Sequence, residues 1–477
     1  MQNQFLLNSQ IARSSGSSPS QSGILADKPY RSDVIDEHSL NKVLLRQNSG
    51  KSSEQAKFCK LEIENEMPLE GLSKDKASST PSDLQLFFVT VKLFFGISYL
   101  SMPNTFAQCG LVGGILLFTF VITINGITML QILKVADAYR DVKSYSDLGE
   151  RVLGPRGRVL VDISILVKQL GVCVTYLYFV STQLDFIICQ YTDACFGNKL
   201  YMLLLIMPVI LMSQIGSYRF LGSLSIPSIC IALTGMLCIF YYSFSQMTLG
   251  SIKSHNYELK YFDGAKIIGR IGLAMYIFDG NAIVVNIRAE ANEKKTYYPR
   301  ILVKAIIFSL VLFTLFATIC YLVYREDTQP IFTMSLVPIN SMVVFILACI
   351  CINALTSYPI QILAAFTIIE RFTMVSSDSQ LQIDRIKRVS LRSLIIVMTT
   401  VVCMMVKTFT DFINIAGALG SVTVAFILPQ WFFLSTYRQT LSMPQKIGCW
   451  AIAIFGIIGS SYSIYYSIQK LSKGDFS

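Results

Sequence analysis

The sequence predicts an all-α membrane protein with eleven transmembrane helices, and three observations carry that prediction. Hydrophobic residues make up 53% of the 477 positions and charged residues only 15%, against about 45–50% and about 25% in an ordinary globular chain. So few charges could not cover the apolar surface of a soluble fold. The apolar residues are also segregated into blocks of about 20, the length that crosses a bilayer as a helix. Finally, Lys and Arg are plentiful in alternate loops between the blocks and sparse in the others, as a chain threading a membrane requires.

Residues 1–83 precede the first block and are rich in Ser, Lys and Glu, with "ARSSGSSPSQS" the most biased stretch. They contain no apolar core followed by a small-residue cleavage site, so they do not read as a cleaved signal peptide. So little apolar surface cannot offset the entropy of ordering, and a disordered tail is expected. The apolar segments span 84–109, 112–136, 158–188, 200–215, 222–246, 266–286, 301–323, 339–370, 391–407, 411–435 and 446–468. Together they form a transmembrane domain over 84–468, followed by a short tail over 469–477. Segments three and eight are long enough that they must tilt or project beyond the bilayer.

The basic loops hold Arg140, Lys143, Arg151 and Arg156, then Arg219, then Arg288, Lys294, Lys295 and Arg300. Further clusters follow at Arg371–Arg392 and at Arg438 with Lys446. All lie on the same side as the basic N-terminal tail, which places the N-terminus in the cytosol and the C-terminus outside or in a lumen. This lopsided topology accounts for the net charge of +10. With no interleaved aromatic patch, nucleic acid is excluded as a partner. The 12 Cys are dispersed without a CxxC pair, and the only His are His38 and His255. No metal site or cofactor is therefore expected, and most Cys read as small packing residues.

Two segments cannot be plain spanning helices. Segment one, "LQLFFVTVKLFFGISYLSMPNTFAQCG", packs Gly96, Ser98, Ser101 and Pro103 into one stretch at membrane depth. Proline lacks an N–H and glycine weakens a helix interior by about 1 kcal/mol relative to alanine. A simple proline kink is the alternative to a true break. In segment six Asp279, Gly280 and Asn281 interrupt an apolar span at its centre. An intramembrane Asp is costly and marks a candidate functional site, although it could equally cap the half-helix that follows. Interrupted segments at corresponding positions of two halves point to a binding site between them. Segments one and six are five apart, the offset of two five-helix repeats over 84–246 and 266–435 with an extra helix at 446–468.

The chain resembles the amino acid/auxin permease family, which includes proton-assisted, vacuolar and sodium-coupled amino acid transporters. The matching stretches, in family order, are "VKLFFGISYLSMPNTFAQCGLVGG", "SYSDLGERVLGPRGR", "KQLGVCVTYLYFVSTQL", "YIFDGNAIVVNIRAEA", "SYPIQILAAFTIIE" and "NIAGALGSVTVAFILPQ". The resemblance implies a 5+5 inverted repeat of the leucine-transporter type and alternating-access transport of an amino acid between helices 1 and 6. It is incomplete: Ser98 stands where the family has a second small glycine-like residue, Asp279 where it has Glu, and Ala289–Glu290–Ala291 where it has Glu-Asn. No Cys in 247–265 is available to bond one in 189–199, so a disulfide between those outer loops is not expected.

A zwitterion needs an anion site and a cation site close together, and an unwound helix supplies both. Free amides near Ser98, Tyr99 and Leu100, in a site that also takes in Gly96 and Ile97, would hold the carboxylate, and free carbonyls around Ile277, Phe278 and Asp279 the ammonium. Gly96 and Gly280 would let substrate approach the backbone, and Tyr99, Tyr276 and Phe278 would shape the side-chain pocket unless they pack in the core. By the resemblance, Lys92 occupies the place of an Asn that, with a helix-8 hydroxyl at Ser357, contacts sodium in the sodium-coupled branch. Its ammonium would replace that cation; the alternative is a side chain snorkelling to the cytosol, a reach of about 12 Å at 1.5 Å per residue. The proton-assisted branch carries a His where this chain has Val89, so Asp279, Lys92 and Lys168 remain as titratable groups and both proton coupling and uniport stay open. A nutrient-sensing receptor using the N-terminal tail is the competing class. The plasma membrane and a vacuolar or lysosomal membrane both remain open, and nothing in the sequence sets the oligomeric state. An intramembrane enzyme is not expected, since no paired catalytic groups lie at depth.

Overall fold

A computed structural model describes residues 82–139, 141–192, 195–214, 218–248, 259–291, 294–373 and 382–473. The expected tail over 1–83 lies outside these residues apart from Ser82 and Asp83, and the C-terminal tail over 469–477 is described only to Lys473. Every described element is helical.

Segment one divides into α1 (Asp83–Lys92), a 3₁₀ turn (Ser98–Ser101) and α2 (Met102–Cys109). Ser82 starts α1 with a reciprocal cap to Gln85, which satisfies amides that a first turn leaves free. Gly110, at φ 82°, turns the chain into α3 (Leu111–Ala138). A short amphipathic helix, α4 (Tyr145–Leu153), was not expected from hydropathy. Ser144 and Asp147 cap it, and the bare faces of Gly149 and Gly157 let it lie directly on the start of α5 (Pro155–Thr192). Then come α6 (Asn198–Ser213) and α7 (Tyr218–Thr248).

Segment six divides into α8 (Gly264–Gly269), α9 (Ile271–Ile277) and α10 (Asn281–Glu290). After it come α11 (Tyr298–Tyr324), α12 (Ser341–Phe372) and α13 (Gln382–Met405). The tenth segment joins α14 (Phe409–Ala416) and α15 (Leu428–Thr436) through an 11-residue π-helix, Gly417–Ile427. The last helix is α16 (Met443–Ser472).

Eight of these helical runs are long and apolar enough to cross a membrane, and α6 is a shorter apolar helix. Segments one and six fall outside the eight because each is interrupted. Leu203, Leu204, Met207 and Leu211 on α6, and Ile447, Ile454 and Ile458 on α16, are exposed. Such apolar surface belongs in lipid. Inside, α12 packs against α5 and α7, while α9 packs against α14, the π-helix and α3. Segment six thus packs on the tenth segment, while segment one packs on α11, with α1 also against α7.

The close packing of segment six on segment ten rests on glycine. A Cβ on Gly417 would stand 2.1 Å from the Gly272 carbonyl oxygen, and one on Gly272 2.4 Å from that of Asn414. Asn414 secures the same contact, its Oδ1 accepting the Leu273 amide at 2.7 Å and its Nδ2 donating to the Gly269 carbonyl at 2.8 Å.

Candidate functional site

Both interruptions are real gaps in backbone hydrogen bonding. The Leu93 amide bonds back to Thr90 and Val91, closing α1. Beyond it, the amides of Gly96, Ile97, Ser98 and Tyr99 donate to no backbone carbonyl among the described residues. In segment six the carbonyls of Tyr276, Ile277 and Phe278 accept no hydrogen bond among the described residues. Unpaired backbone is tolerated at membrane depth only where protein or a cavity surrounds it. Pro103 is not the cause of the first gap. It sits in the first turn of α2, where its missing N–H costs nothing.

The gaps meet at a small cavity of about 40 Å³ lined by Gly96, Ile97, Ser98, Tyr276, Ile277 and Asp279 from the broken segments. Lys168, Gln169, Val172 and Tyr176 of α5 and Gln361 of α12 complete its walls. A larger cavity of about 250 Å³ shares Gly96, Gln169, Tyr176 and Gln361 with it and extends past Lys92, Ser357 and Glu290. A groove of about 790 Å³ between α15 and α16, lined by Trp431, Arg438, Lys446 and Trp450, is larger still but includes none of the gap residues.

Four residues expected at the site do not line either cavity. Tyr99 is fully buried, stacked on Phe313 at 5.4 Å between ring centroids and edge-on to Phe316. Phe278 packs against Phe118 and Phe313, and Leu100 is in the same core. Gly280 is covered, a Cβ there meeting Leu93 Cδ1 at 3.0 Å. The reason is geometric: where the main chain faces a cavity, successive side chains turn away from it in different directions.

Asp279 caps the half-helix that follows and is also paired with a buried lysine. One carboxylate oxygen accepts the Asn281 amide at 3.1 Å, capping α10. The other lies 2.9 Å from Lys168 Nζ, with the two side chains 0% and 7% exposed. Lys168 also donates to the Asp279 main-chain carbonyl at 3.3 Å. That carbonyl is therefore occupied, and the free carbonyls are one to three residues earlier than Asp279. Lys168, Val172 and Tyr176 recur at a spacing of four, one face of a helix; that periodicity was the signal available for α5.

Lys92 turns into the helix bundle, but not onto Ser357. Its Nζ donates to Asn353 Oδ1 at 2.7 Å and to Ser228 Oγ at 2.9 Å. Asn353 and Ser357 are one turn apart on α12, and the turn facing Lys92 is the earlier one. There an amide oxygen with no proton of its own is the stronger acceptor for an ammonium. Ser228 also donates to Asn353 at 2.8 Å, and Thr356 to Ser228 at 2.9 Å, so α1, α7 and α12 share one polar knot.

The opposite ends of the broken segments are closed. Arg270 is fully buried between α8 and α9, 2.9 Å from Asp411 Oδ1 and 2.7 Å from Gln108 Oε1 at the end of α2. Cys189, in the last turns of α5, and Cys195, in the connection that follows, form a disulfide. The absence of a partner in 247–265 thus did not leave these outer Cys unpaired.

Many apolar helices around two interrupted spans that meet at a polar cavity define a multi-pass membrane protein with two discontinuous helices at its centre. The chain belongs to the family described as transmembrane amino acid transporter protein, whose profile matches residues 79–469. It is accordingly a membrane transporter of amino acids and not an enzyme. It is 25% identical to amino acid transporter AVT3A of Arabidopsis thaliana, over 83% of this chain and 90% of that protein. It is 22% identical to vacuolar amino acid transporter 4 of Saccharomyces cerevisiae, over 82% of this chain and 59% of that longer protein. Among solved structures it resembles a Na⁺-coupled sialic acid symporter in a substrate-bound outward-open state, with TM-score 0.49 and 13% identity over 81% of this chain and 90% of that one. It also resembles the nucleobase-cation-symport-1 family transporter MHP1, with TM-score 0.49 and 12% identity over 82% and 92%.

Proposed function

We propose that this protein moves amino acids by alternating access, as a proton-coupled transporter or uniporter rather than a sodium-coupled one. The observation that carries the reading is the pair of facing gaps. Gly96, Ile97 and Ser98, with free amides, and Tyr276 and Ile277, with free carbonyls, line one cavity together. The first would bind a carboxylate and the second an ammonium, so a zwitterion is held without charged side chains.

In this reading the eight long helices, α6 and the two interrupted segments make eleven crossings, arranged as two inverted five-helix repeats of the leucine-transporter type plus α16. The larger cavity opens from the site toward the α1 end of segment one, while Arg270, Gln108 and Asp411 close the other end. This supports an inward-facing state. The Cys189–Cys195 disulfide supports an oxidising environment for that closed side, and hence a cytosolic N-terminus. The name of the Saccharomyces relative favours a vacuolar or lysosomal membrane. Lys92, with its ammonium between α1, α7 and α12, stands where a coupling cation would otherwise bind, and argues against sodium.

Uptake of labelled amino acids into proteoliposomes, with pH and Na⁺ gradients imposed separately, tests the whole reading. Uptake should occur, respond to pH or to neither gradient, and be unaffected by Na⁺. Uptake that rises with Na⁺ at constant pH and membrane potential would overturn the coupling assignment.

A further inference from the structure

The facing gaps already supply what a zwitterion's two main-chain charges need, so the Asp279 carboxylate is one negative charge in excess. We propose that Lys168 is the charge-selectivity residue of the site. Its tethered ammonium neutralises Asp279 and so restricts the cavity to amino acids whose side chains carry no positive charge. The inference rests on the amino acid site proposed above and names its substrate class.

Among the described residues, Lys168 and Asp279 are the only charged side chains lining the smaller cavity. The carboxylate is fully buried and the ammonium nearly so, 2.9 Å apart, and a charge buried in protein is costly without a partner. The lysine is also positioned from both ends. Its Nζ has a second anchor on the Asp279 carbonyl. Its backbone lies against the π-helix so closely that a Cβ on Gly420 would come 3.0 Å from Lys168 Cα. A cationic side chain entering the cavity therefore meets a fixed ammonium whose acid is already taken. With the lysine removed, the same cavity presents a lone carboxylate that a cationic side chain would satisfy.

The test uses full-length protein in proteoliposomes and compares uptake of labelled L-alanine and L-lysine by wild type, Lys168→Met and Lys168→Met/Asp279→Asn. Wild type should favour alanine. Lys168→Met should raise the lysine-to-alanine ratio by about tenfold or more, the scale on which truncating one partner of a buried charge pair is felt. The double variant, again without net charge in the cavity, should return toward the wild-type ratio. Thermal melts of the purified proteins give a readout independent of turnover: L-lysine and n-propylammonium should stabilise Lys168→Met more than wild type. A pair that merely ties α5 to segment six would lower both uptakes together and leave the ratio unchanged. That result overturns the proposal, as does a Lys168→Met protein inactive toward both substrates and not stabilised by either cation. Wild-type protein that neither moves nor is stabilised by any amino acid would instead overturn the site, and the role of Lys168 with it.

Discussion

The Lys92 ammonium lies 2.7 Å from Asn353 Oδ1, joining residues 261 positions apart in the chain at the foot of the segment-one gap. Because Ser228 is the second acceptor, at 2.9 Å, a single side chain ties α1 to both α7 and α12.

Replacing Lys92 with Ala removes the donor from two inward-facing acceptors. A hydrogen bond to a charged group contributes about 1.5–3 kcal/mol, so the melting temperature should fall and uptake with it. Lys92→Met combined with Asn353→Leu should recover much of the stability, because apolar replacement of both partners is far less costly than orphaning one. Equal melting temperatures for Lys92→Ala and wild type would show that the knot contributes nothing.

Gly96 and Gly280 should part company when each is replaced. A Cβ on Gly96 meets nothing nearer than Ser98 Oγ at 3.5 Å and Tyr176 Oη at 3.6 Å. Gly96→Ala should therefore fold with an unchanged melting temperature while raising KM, because the new methyl projects into the cavity. A Cβ on Gly280 meets Leu93 Cδ1 at 3.0 Å and Met129 Cε at 3.2 Å, so Gly280→Val should destabilise the protein by about 1–3 kcal/mol through overpacking. Melts and uptake kinetics on both variants check this. A larger loss of stability for Gly96→Ala than for Gly280→Val would contradict it.

Gly417→Ala should be the most damaging single methyl added in this bundle. Its Cβ would fall 2.1 Å from the Gly272 carbonyl oxygen and 2.7 Å from Tyr276 Cβ, neither of which is the tip of a flexible side chain. α9 would have to move off the π-helix, carrying the free carbonyls of the second gap with it. The expected outcome is poor expression or a melting temperature well below that of wild type; a stable, active Gly417→Ala protein would mean that the two segments do not pack this way.

Arg270 and Asp411 should show the asymmetry of a buried pair. Both side chains are essentially inaccessible, at 0% and 1% exposure. Asp411→Leu alone leaves a buried guanidinium uncompensated, at a cost of about 3–5 kcal/mol. Adding Arg270→Met should recover most of that loss. Denaturation of the two variants side by side measures the difference, and a double variant no more stable than the single one would count against the pair as drawn.

The positions of the apolar helices were legible from the sequence because crossing a bilayer is a local requirement: about 20 apolar residues in a row suffice. α3 and α11 each begin within a few residues of the expected start. The existence of the gap at Asp279 was legible for the same reason, since a carboxylate in the middle of an apolar run conflicts with its surroundings wherever the chain goes. The first gap was found for partly the wrong reason. Pro208, Pro227 and Pro359 all lie inside continuous helices, whereas the stretch that opens, Leu93–Ile97, contains no proline. Neighbouring helices, not residue type, decide whether a membrane helix stays closed at such a point.

What only the tertiary structure decided is which side chains share the space between the gaps. Hydropathy reports how apolar a segment is but not the direction in which each residue faces. Tyr99 and Phe278 accordingly went to the core while Gln169, Tyr176 and Gln361 came to the cavity. Lys168 and Asp279 are 111 positions apart, and Lys92 was one helical turn from the acceptor expected for it. Charges buried in a bilayer must find partners. Which partner each found depended on the rotation of α5 and α12 about their own axes, which is set by packing across the whole bundle.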